Sequence, residues 1–478
     1  MTQDMTQDMT KEQNSITSIH FIGIGGVGMS GIAKVAHDQG IKVSGSDLRQ
    51  SRYTDQLVEE GITVFIGHDA ANVEHKPDVV VVSTAILENN VELRRAKELG
   101  IEIWHRAKML SFLGRNLKTL AVAGTHGKTT TSSMLASTLD ALGESPTFLI
   151  GGIVRAYGTN AHSGCGEYYT VEADESDKSF TYLNPYAVLV TNVEADHLDH
   201  YKNLQEIEDK FTEFMASTSE QGFLVVCGED PHLRTLAKNS GHSFITYGFG
   251  KDNDVQILDW KPCGVGSSYT LRLPDGTNVT GEIKQNPGKH NVLNAAGVMA
   301  LMWLLGYDPQ RAIECLSEFR GVRRRFDLVG KAAGVTVVDD YAHHPTEIAA
   351  TIGAAHELDF KRVVVLFQPH RYSRVGLFTE VLKDSFCCAF DKADKLFFMD
   401  VYPAGETPVP GVNGQTFLNT VLEHEGHPDA AYIARRIKVV PTLLEELQDG
   451  DLLITMGAGD VTAIGPQVIA ELNARCAQ

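Results

Sequence analysis

Residues Leu120 to Thr131 constrain this chain more than any other stretch. A short apolar run ends in a glycine-rich turn, and the sequence then turns helix-compatible at Lys128-Thr129-Thr130. A strand that turns tightly into a helix aims the unpaired N–H groups of the first helical turn at one point. A phosphate fits there, Lys128 adds a point charge, and Thr129 offers a hydroxyl to Mg2+. The loop is a variant form, Gly124-Thr125-His126-Gly127-Lys128-Thr129, with Val122 where the commonest pattern has glycine. The chain is therefore expected to bind a nucleoside triphosphate and to hydrolyse it or transfer from it. Such a loop belongs to a parallel α/β sheet.

The same alternation appears twice more. Ile19 to Ser30 runs from a strand into Gly23-Ile24-Gly25-Gly26-Val27-Gly28, and a helix follows to about Gln39. A strand over 42–45 ends at Ser46-Asp47, placing an acid near the distance a ribose contact needs. Strands at 78–83 and 101–104 complete a short Rossmann-like domain over 17–116. These glycines support a docked diphosphate, and both a nicotinamide dinucleotide and a UDP-sugar satisfy that.

The central segment, 117–321, adds a strand at 167–173 followed by Asp174-Glu175-Ser176-Asp177. Another at 187–193 is followed by Glu194-Ala195-Asp196-His197-Leu198-Asp199-His200. Carboxylates at the C-terminal ends of parallel strands face the ligand side and can hold Mg2+ at nucleotide phosphates. A histidine is an unusual Mg2+ ligand. Gly288 to Ala296 opens a helix on which His290, Asn291 and Asn294 could meet an adenine edge or act as caps.

After the basic run Arg323-Arg324-Arg325, the third segment, 322–478, has strands at 335–338, 362–367, 395–399 and 452–456. Their ends carry Asp339-Asp340-Tyr341-Ala342-His343-His344-Pro345, Gln368-Pro369-His370-Arg371-Tyr372-Ser373-Arg374 and Gly457-Ala458-Gly459-Asp460. By the strand-end rule these should line one crevice. The expected architecture is α/β in three domains: N-terminal Rossmann-like, central P-loop ATPase-like with a parallel sheet, and C-terminal Rossmann-like.

Composition narrows the partners. At 478 residues the chain needs two or three domains, and a net charge of −19 argues against nucleic acid. The near-duplicated polar stretch Met1 to Thr10 reads as part of a disordered tail over 1–16, not a signal peptide. No apolar run reaches membrane-spanning length, so no membrane insertion is expected. The seven cysteines lack C-x-x-C spacing, which fits a reducing cytoplasm and carries no zinc signature. Adjacent Cys387 and Cys388, in an apolar stretch, read as buried thiols.

Together the motifs resemble the Mur ligase family, three-domain ATP-dependent amide-forming enzymes of peptidoglycan precursor synthesis. The resemblance rests on the Gly23–Gly31 loop, the Gly124–Thr130 loop, Glu172–Asp177, Thr191–His197, Asp339–Glu347 and Gln368–Arg374, in the family's order. It implies a chain that adds L-alanine to the lactyl carboxylate of UDP-N-acetylmuramate through an acyl phosphate. ATP with Mg2+ (or Mn2+) would bind centrally, contacting Gly124, Thr125, His126, Gly127, Lys128, Thr129 and Thr130. His290, Asn291 and Asn294 would meet the adenine, and Arg325 and Asp340 the nucleotide from the domain junction. The metal would sit on Thr129, Glu172 and His197. The sugar nucleotide would sit on Gly23, Gly25, Gly26, Gly28, Ser46, Asp47, Ser83, Thr84 and His105. His343, Arg371 and Arg374 would hold the amino acid, and Lys128, Glu172, His197, His343 and Arg371 would carry the chemistry.

The resemblance further implies hinges near Asn116 and Gly321, and a monomer or homodimer in the cytoplasm. Ala342 and Ser373 stand where the family often has glycine and threonine. Other readings stay open: a recycling ligase joining a tripeptide to the same sugar nucleotide, a nicotinamide-dependent oxidoreductase, and a non-catalytic nucleotide switch.

Overall fold

The computed structural model describes residues 16–176, 178–195 and 201–476, and the expected N-terminal tail lies almost wholly outside them. Three sheets organise the chain, as three α/β segments require.

The first sheet contains β1 (Ser18–Ile22), β2 (Lys42–Asp47), β3 (Thr63–Ile66), β4 (Val79–Val82) and β5 (Glu102–His105), in the order β3-β2-β1-β4-β5. All its pairs are parallel. Continuous apolar runs such as Val79–Val82 suit strands covered on both faces. β1 is central, and the glycine loop leaves its C-terminal end beside β4, where the strand order reverses. Ligands bind at such a switch point.

The second sheet is built on β6 (Lys118–Ala123), β7 (Thr147–Val154), β8 (Thr159–His162), β9 (Tyr168–Glu172), β10 (Ala187–Val190), β11 (Phe223–Cys227) and β12 (Phe244–Gly248). Their order is β12-β11-β10-β6-β9-β7-β8, parallel except for the β7–β8 hairpin. β6 lies between β10 and β9, so the phosphate loop emerges flanked by the two acidic strand ends. β13 (Val255–Cys263) pairs with β12 at its first residues, and β14 (Gly266–Arg272) and β15 (Asn278–Ile283) follow it.

The third sheet comprises β16 (Asp327–Ala332), β17 (Val335–Asp340), β18 (Arg362–Phe367), β19 (Lys395–Met399), β20 (Asp429–Ile433) and β21 (Asp451–Met456). Its order is β16-β17-β21-β18-β19-β20, parallel except at the β16–β17 edge. β21 sits between β17 and β18, bringing the three chemically loaded strand ends side by side.

Compactness divides the molecule in two. One unit holds the chain through Ile257 with Arg272–Thr277 and Asn294–Leu316. The other holds Leu258–Leu271, Asn278–Leu293 and everything from Ser317. The first sheet and strands β6 to β12 of the second thus share a unit.

Strands β3, β7, β8, β11 to β15, β16 and β20 are additions to the sequence reading. Several are edge or half-covered strands, such as β3 and β20, whose mixed burial leaves no uniform apolar run to detect.

Candidate active site

The loop between β6 and the helix Lys128–Ala141 takes the expected phosphate-binding course. Gly124 has φ +133°, and a Cβ there would lie 2.1 Å from Thr191 Oγ1. Gly127 has φ +84°, and a Cβ there would lie 2.9 Å from Asn294 Oδ1. Only glycine combines those conformations with such close neighbours. The loop is tied to the end of β10: the His126 N–H donates to Asn192 Oδ1 at 2.8 Å, and its carbonyl accepts from Thr191 Oγ1 at 2.6 Å. Gly127 precedes the helix and no side chain caps its N-terminus. The backbone donors of that first turn therefore face outward for an anion.

Lys128 folds back on its own loop. Its Nζ donates to the carbonyls of Gly124 and Thr125, at 2.5 and 3.1 Å, and to Glu175 Oε1 at 2.8 Å. Burial pulls its pKa down, but Glu175, Asp174 and Glu172 outweigh burial and hold it above the ordinary lysine value. Glu175 is 2% exposed, and its Oε2 is buried with no hydrogen-bond partner among the described residues. Burial pushes its carboxyl up to about 7 against the pull of Lys128. Asp174 goes the other way: burial raises it, but Lys128 and Arg106 bring it to about 2. The Arg106–Asp174 contact is 3.0 Å.

Thr129 Oγ1 donates to Glu172 Oε1 at 3.0 Å, and Glu172 Oε2 accepts the Gly151 N–H at 2.7 Å. A hydroxyl and a carboxylate side by side under the phosphate loop form a hard-oxygen pair of the kind Mg2+ takes. His197, the third ligand expected from the sequence, lies outside the described residues.

In the first sheet, Asp47 Oδ2 accepts the Gly25 N–H at 2.9 Å, so this acid holds the glycine loop in shape. Ser46 differs from expectation. It is fully buried and its hydroxyl donates to Glu92 at 2.6 Å. Glu92 also accepts from His20, His68, Asn72 and the Asp69 N–H. Burial would raise its pKa, yet His20, Ser46 and Asn72 hold it at about 2. Ser83 and Thr84 follow the end of β4, half-buried and exposed respectively. His105 ends β5 and caps the next helix, its Nδ1 3.4 Å from the Ala107 N–H.

A crevice lined by Gly28, Arg106, Gly151, Glu172 and Asp174 joins the glycine loop to the metal-type pair within the same unit. Arg106 was absent from the sequence candidates, although its position directly after β5 was a usable signal. Glu175 was seen only as part of an acidic turn.

The other unit gathers its own cluster. Arg324, at φ +63°, donates to the carbonyls of Gly457 and Gly459 and lies 3.3 Å from Asp339. It is the staple of this face. Arg325 Nη1 reaches Glu347 at 3.5 Å. Asp340, expected at the nucleotide, is tied to the backbone. It is 5% exposed, and its carboxylate accepts the N–H groups of Phe326 and Ala342 at 2.7 and 2.8 Å. Burial raises it to about 6, and its acceptors serve the loop that carries Arg325. His343 Nδ1 lies 3.1 Å from the Tyr341 carbonyl, and its ring packs edge-on to Tyr341 and His370. Arg371 has φ +68°, and Arg374 Nη1 is buried without a hydrogen-bond partner among the described residues. His290 is half-buried, and desolvation, with the charge of Arg325, lowers its pKa to about 4. Asn291 Nδ2 meets His290 Nε2 at 2.9 Å in this unit, whereas Asn294 belongs with the phosphate loop in the first.

Cys387 and Cys388 also depart from expectation. The first is half-buried and the second exposed.

Comparison with known proteins gives a consistent answer. Three family descriptions match in succession: "Mur ligase family, catalytic domain" over 18–117, "Mur ligase middle domain" over 122–302, and "Mur ligase, glutamate ligase domain" over 324–459. A UDP-N-acetylmuramate–L-alanine ligase of Nitratidesulfovibrio vulgaris is 44% identical over 96% of this chain and 99% of its own. The ligase of the same name from Syntrophomonas wolfei is 43% identical over 95% and 97%. The crystal structure of the Thermotoga maritima UDP-N-acetylmuramate–alanine ligase superposes with a TM-score of 0.78, 30% identity, and 96% and 99% coverage. A murein peptide ligase from Psychrobacter arcticus, 24% identical at a TM-score of 0.69, shares the fold.

Proposed function

The chain belongs to the Mur ligase family, and from that premise we propose that it joins L-alanine to the lactyl carboxylate of UDP-N-acetylmuramate, using ATP, in peptidoglycan precursor synthesis. The observation that carries this reading is 44% identity along nearly the whole of both chains to a ligase of that name. The phosphate loop, with Lys128 and the acidic strand ends around it, supplies the chemistry the reading needs.

A carboxylate is a poor acyl donor, and phosphorylation gives it a leaving group. The lactyl carboxylate attacks the γ-phosphorus of ATP, ADP leaves, and an acyl phosphate forms. Both reactants are anions, so cations must offset their repulsion in the transition state. Lys128 is placed for this once it swings from Glu175 to the phosphates. Arg106, in the crevice between glycine loop and phosphate loop, is the second such cation. Bound at Thr129 and Glu172, Mg2+ or Mn2+ would neutralise charge on the terminal phosphate oxygens. His197 is its proposed third ligand.

The neutral amine of L-alanine then attacks the acyl carbon, the tetrahedral intermediate collapses, and phosphate leaves as the amide forms. Arg371 and Arg374 would grip the amino-acid carboxylate, for which a guanidinium fork is suited. His343 would take a proton from the incoming ammonium. No protein nucleophile takes part. The sugar nucleotide would dock on Gly23, Gly25, Gly26 and Gly28, a loop whose shape Asp47 maintains. Boundaries near residues 116 and 321 are the proposed domain limits, supported by the spans of the family matches. No helix among the described residues is long and apolar enough to cross a membrane, and the cytoplasm is the proposed compartment.

The test is phosphate release from ATP with Mg2+ and UDP-N-acetylmuramate, with and without L-alanine. Alanine-dependent release, with a product heavier by one alanine residue, is expected. Release only with the tripeptide L-Ala-D-Glu-meso-diaminopimelate would assign the recycling activity instead.

A further inference from the structure

Cys387 and Cys388 end the short helix Lys383–Cys388, and His424 lies two residues beyond the helix Gly414–Leu422. The two helices pack together through Phe386 and Phe417, both fully buried with ring centroids 6.3 Å apart. That packing brings three soft-metal donors together. One ligand atom from each of Cys387, Cys388 and His424 lies within 4.8 Å of the others.

We propose that Cys387, Cys388 and His424 form a binding site for a thiophilic divalent ion of the Zn2+ type, built from none of the groups assigned to the ligase reaction. The two sulfurs are 3.7 Å apart. A tetrahedral ion about 2.3 Å from each of two thiolates sets them roughly 3.8 Å apart, so the pair already has the spacing of two zinc ligands. A disulfide would need about 2.05 Å, far from the observed separation. His424 is held by a carboxylate, its Nε2 lying 3.1 Å from Asp391 Oδ2. A carboxylate bonded to a ligating imidazole fixes the ring and raises its basicity.

The setting favours a cation that can enter. Cys388 is exposed, so an ion can reach the group from its side. Asp384 and Asp391 place negative charge beside Cys388. Loading displaces the thiol protons to solvent. Two thiols and one neutral imidazole become two thiolates and an imidazole on the ion, and water completes four-coordination. The sequence concealed the site, since adjacent cysteines lack the usual spacing and His424 lies 36 residues beyond Cys388.

The test uses the reduced full-length protein, with Co2+ as a spectroscopic probe and Zn2+ to displace it, in excess Mg2+. Expected are one equivalent of Co2+ with a thiolate charge-transfer band, bleached by Zn2+. Cys387→Ser and Cys388→Ser should each abolish the band while alanine-dependent turnover in Mg2+ is unchanged. Asp391→Asn should weaken affinity about tenfold or more. A variant with Cys165, Cys263 and Cys476 changed to serine should keep the band. Absence of the band, its survival in the Cys387→Ser/Cys388→Ser double variant, or its loss with the other three cysteines would overturn the proposal. Isolation of Cys387 and Cys388 as a disulfide that forms under air and takes up no Co2+ after reduction would do the same.

Discussion

The ammonium of Lys128 sits 2.8 Å from Glu175 Oε1, while Glu175 Oε2 is buried with no hydrogen-bond partner among the described residues. The lysine of the phosphate loop is thus held by a carboxylate beneath its own loop.

That arrangement makes stability pH-dependent. The Glu175 carboxyl is raised from 4.5 to about 7. A raised carboxyl contributes stability that is full below its unfolded value and is lost as pH rises through the folded one. The nucleotide-free protein should lose this contribution between about pH 4.5 and pH 7. Glu175→Gln, neutral throughout, should lack that part of the slope. Melting curves of both proteins between these limits decide the matter, and parallel pH profiles would refute the assignment.

Lys128→Ala should separate catalysis from folding. Turnover should fall roughly a hundredfold or more, as loss of a principal transition-state charge does. The same change strands Glu175 without its cation, so melting should drop more at high pH than at low pH. Adding Glu175→Gln should recover the melting temperature and leave turnover lost. Recovery of turnover in the double variant would remove Lys128 from the chemistry.

Glu172→Ala takes away a metal-type oxygen and the acceptor of the Gly151 N–H. The Mg2+ concentration giving half-maximal turnover should rise by about tenfold or more, with a smaller change in KM for L-alanine. An unchanged Mg2+ titration would place the ion elsewhere.

Arg371 adopts φ +68°, a region that costs a residue with a side chain about 1–3 kcal/mol. Arg371→Ala keeps the strain and Arg371→Gly relieves it, while both lose the guanidinium. Both should raise KM for L-alanine more than KM for ATP. The glycine variant should melt above the alanine variant. Equal melting would mean that the loop relaxes without Arg371.

Glu92 organises a buried polar cluster with His20, Ser46, His68 and Asn72. Its carboxyl is depressed from 4.5 to about 2, so its contribution is present above 4.5 and lost as pH falls through about 2. Glu92→Gln should cost on the order of 1–3 kcal/mol at neutral pH, since it weakens bonds to a buried charge. It should raise KM for UDP-N-acetylmuramate through Ser46 and His68. Urea unfolding and steady-state kinetics read the two effects, and an unaltered KM would confine Glu92 to folding.

The sequence by itself determined the local devices. Strand, glycine turn and helix sit within a few residues at Gly23–Gly28 and Gly124–Thr129, and short-range sterics decide such turns. Apolar runs such as Val79–Val82 and Arg362–Phe367 were legible because central strands are covered on both faces. Edge strands such as β3 and β16 were not, because half-exposed strands carry mixed residues. Tertiary structure alone decided which polar group meets which. It turned Ser46 inward to Glu92, tied Asp340 to the backbone of its own loop, and made Arg324 a staple on the Gly457 carbonyl. It also paired Lys128 with Glu175, 47 residues away, and brought His424 to two cysteines. Charge pairing, burial and pKa depend on distances through space, and the spacing of residues along a chain does not encode them until the sheets assemble.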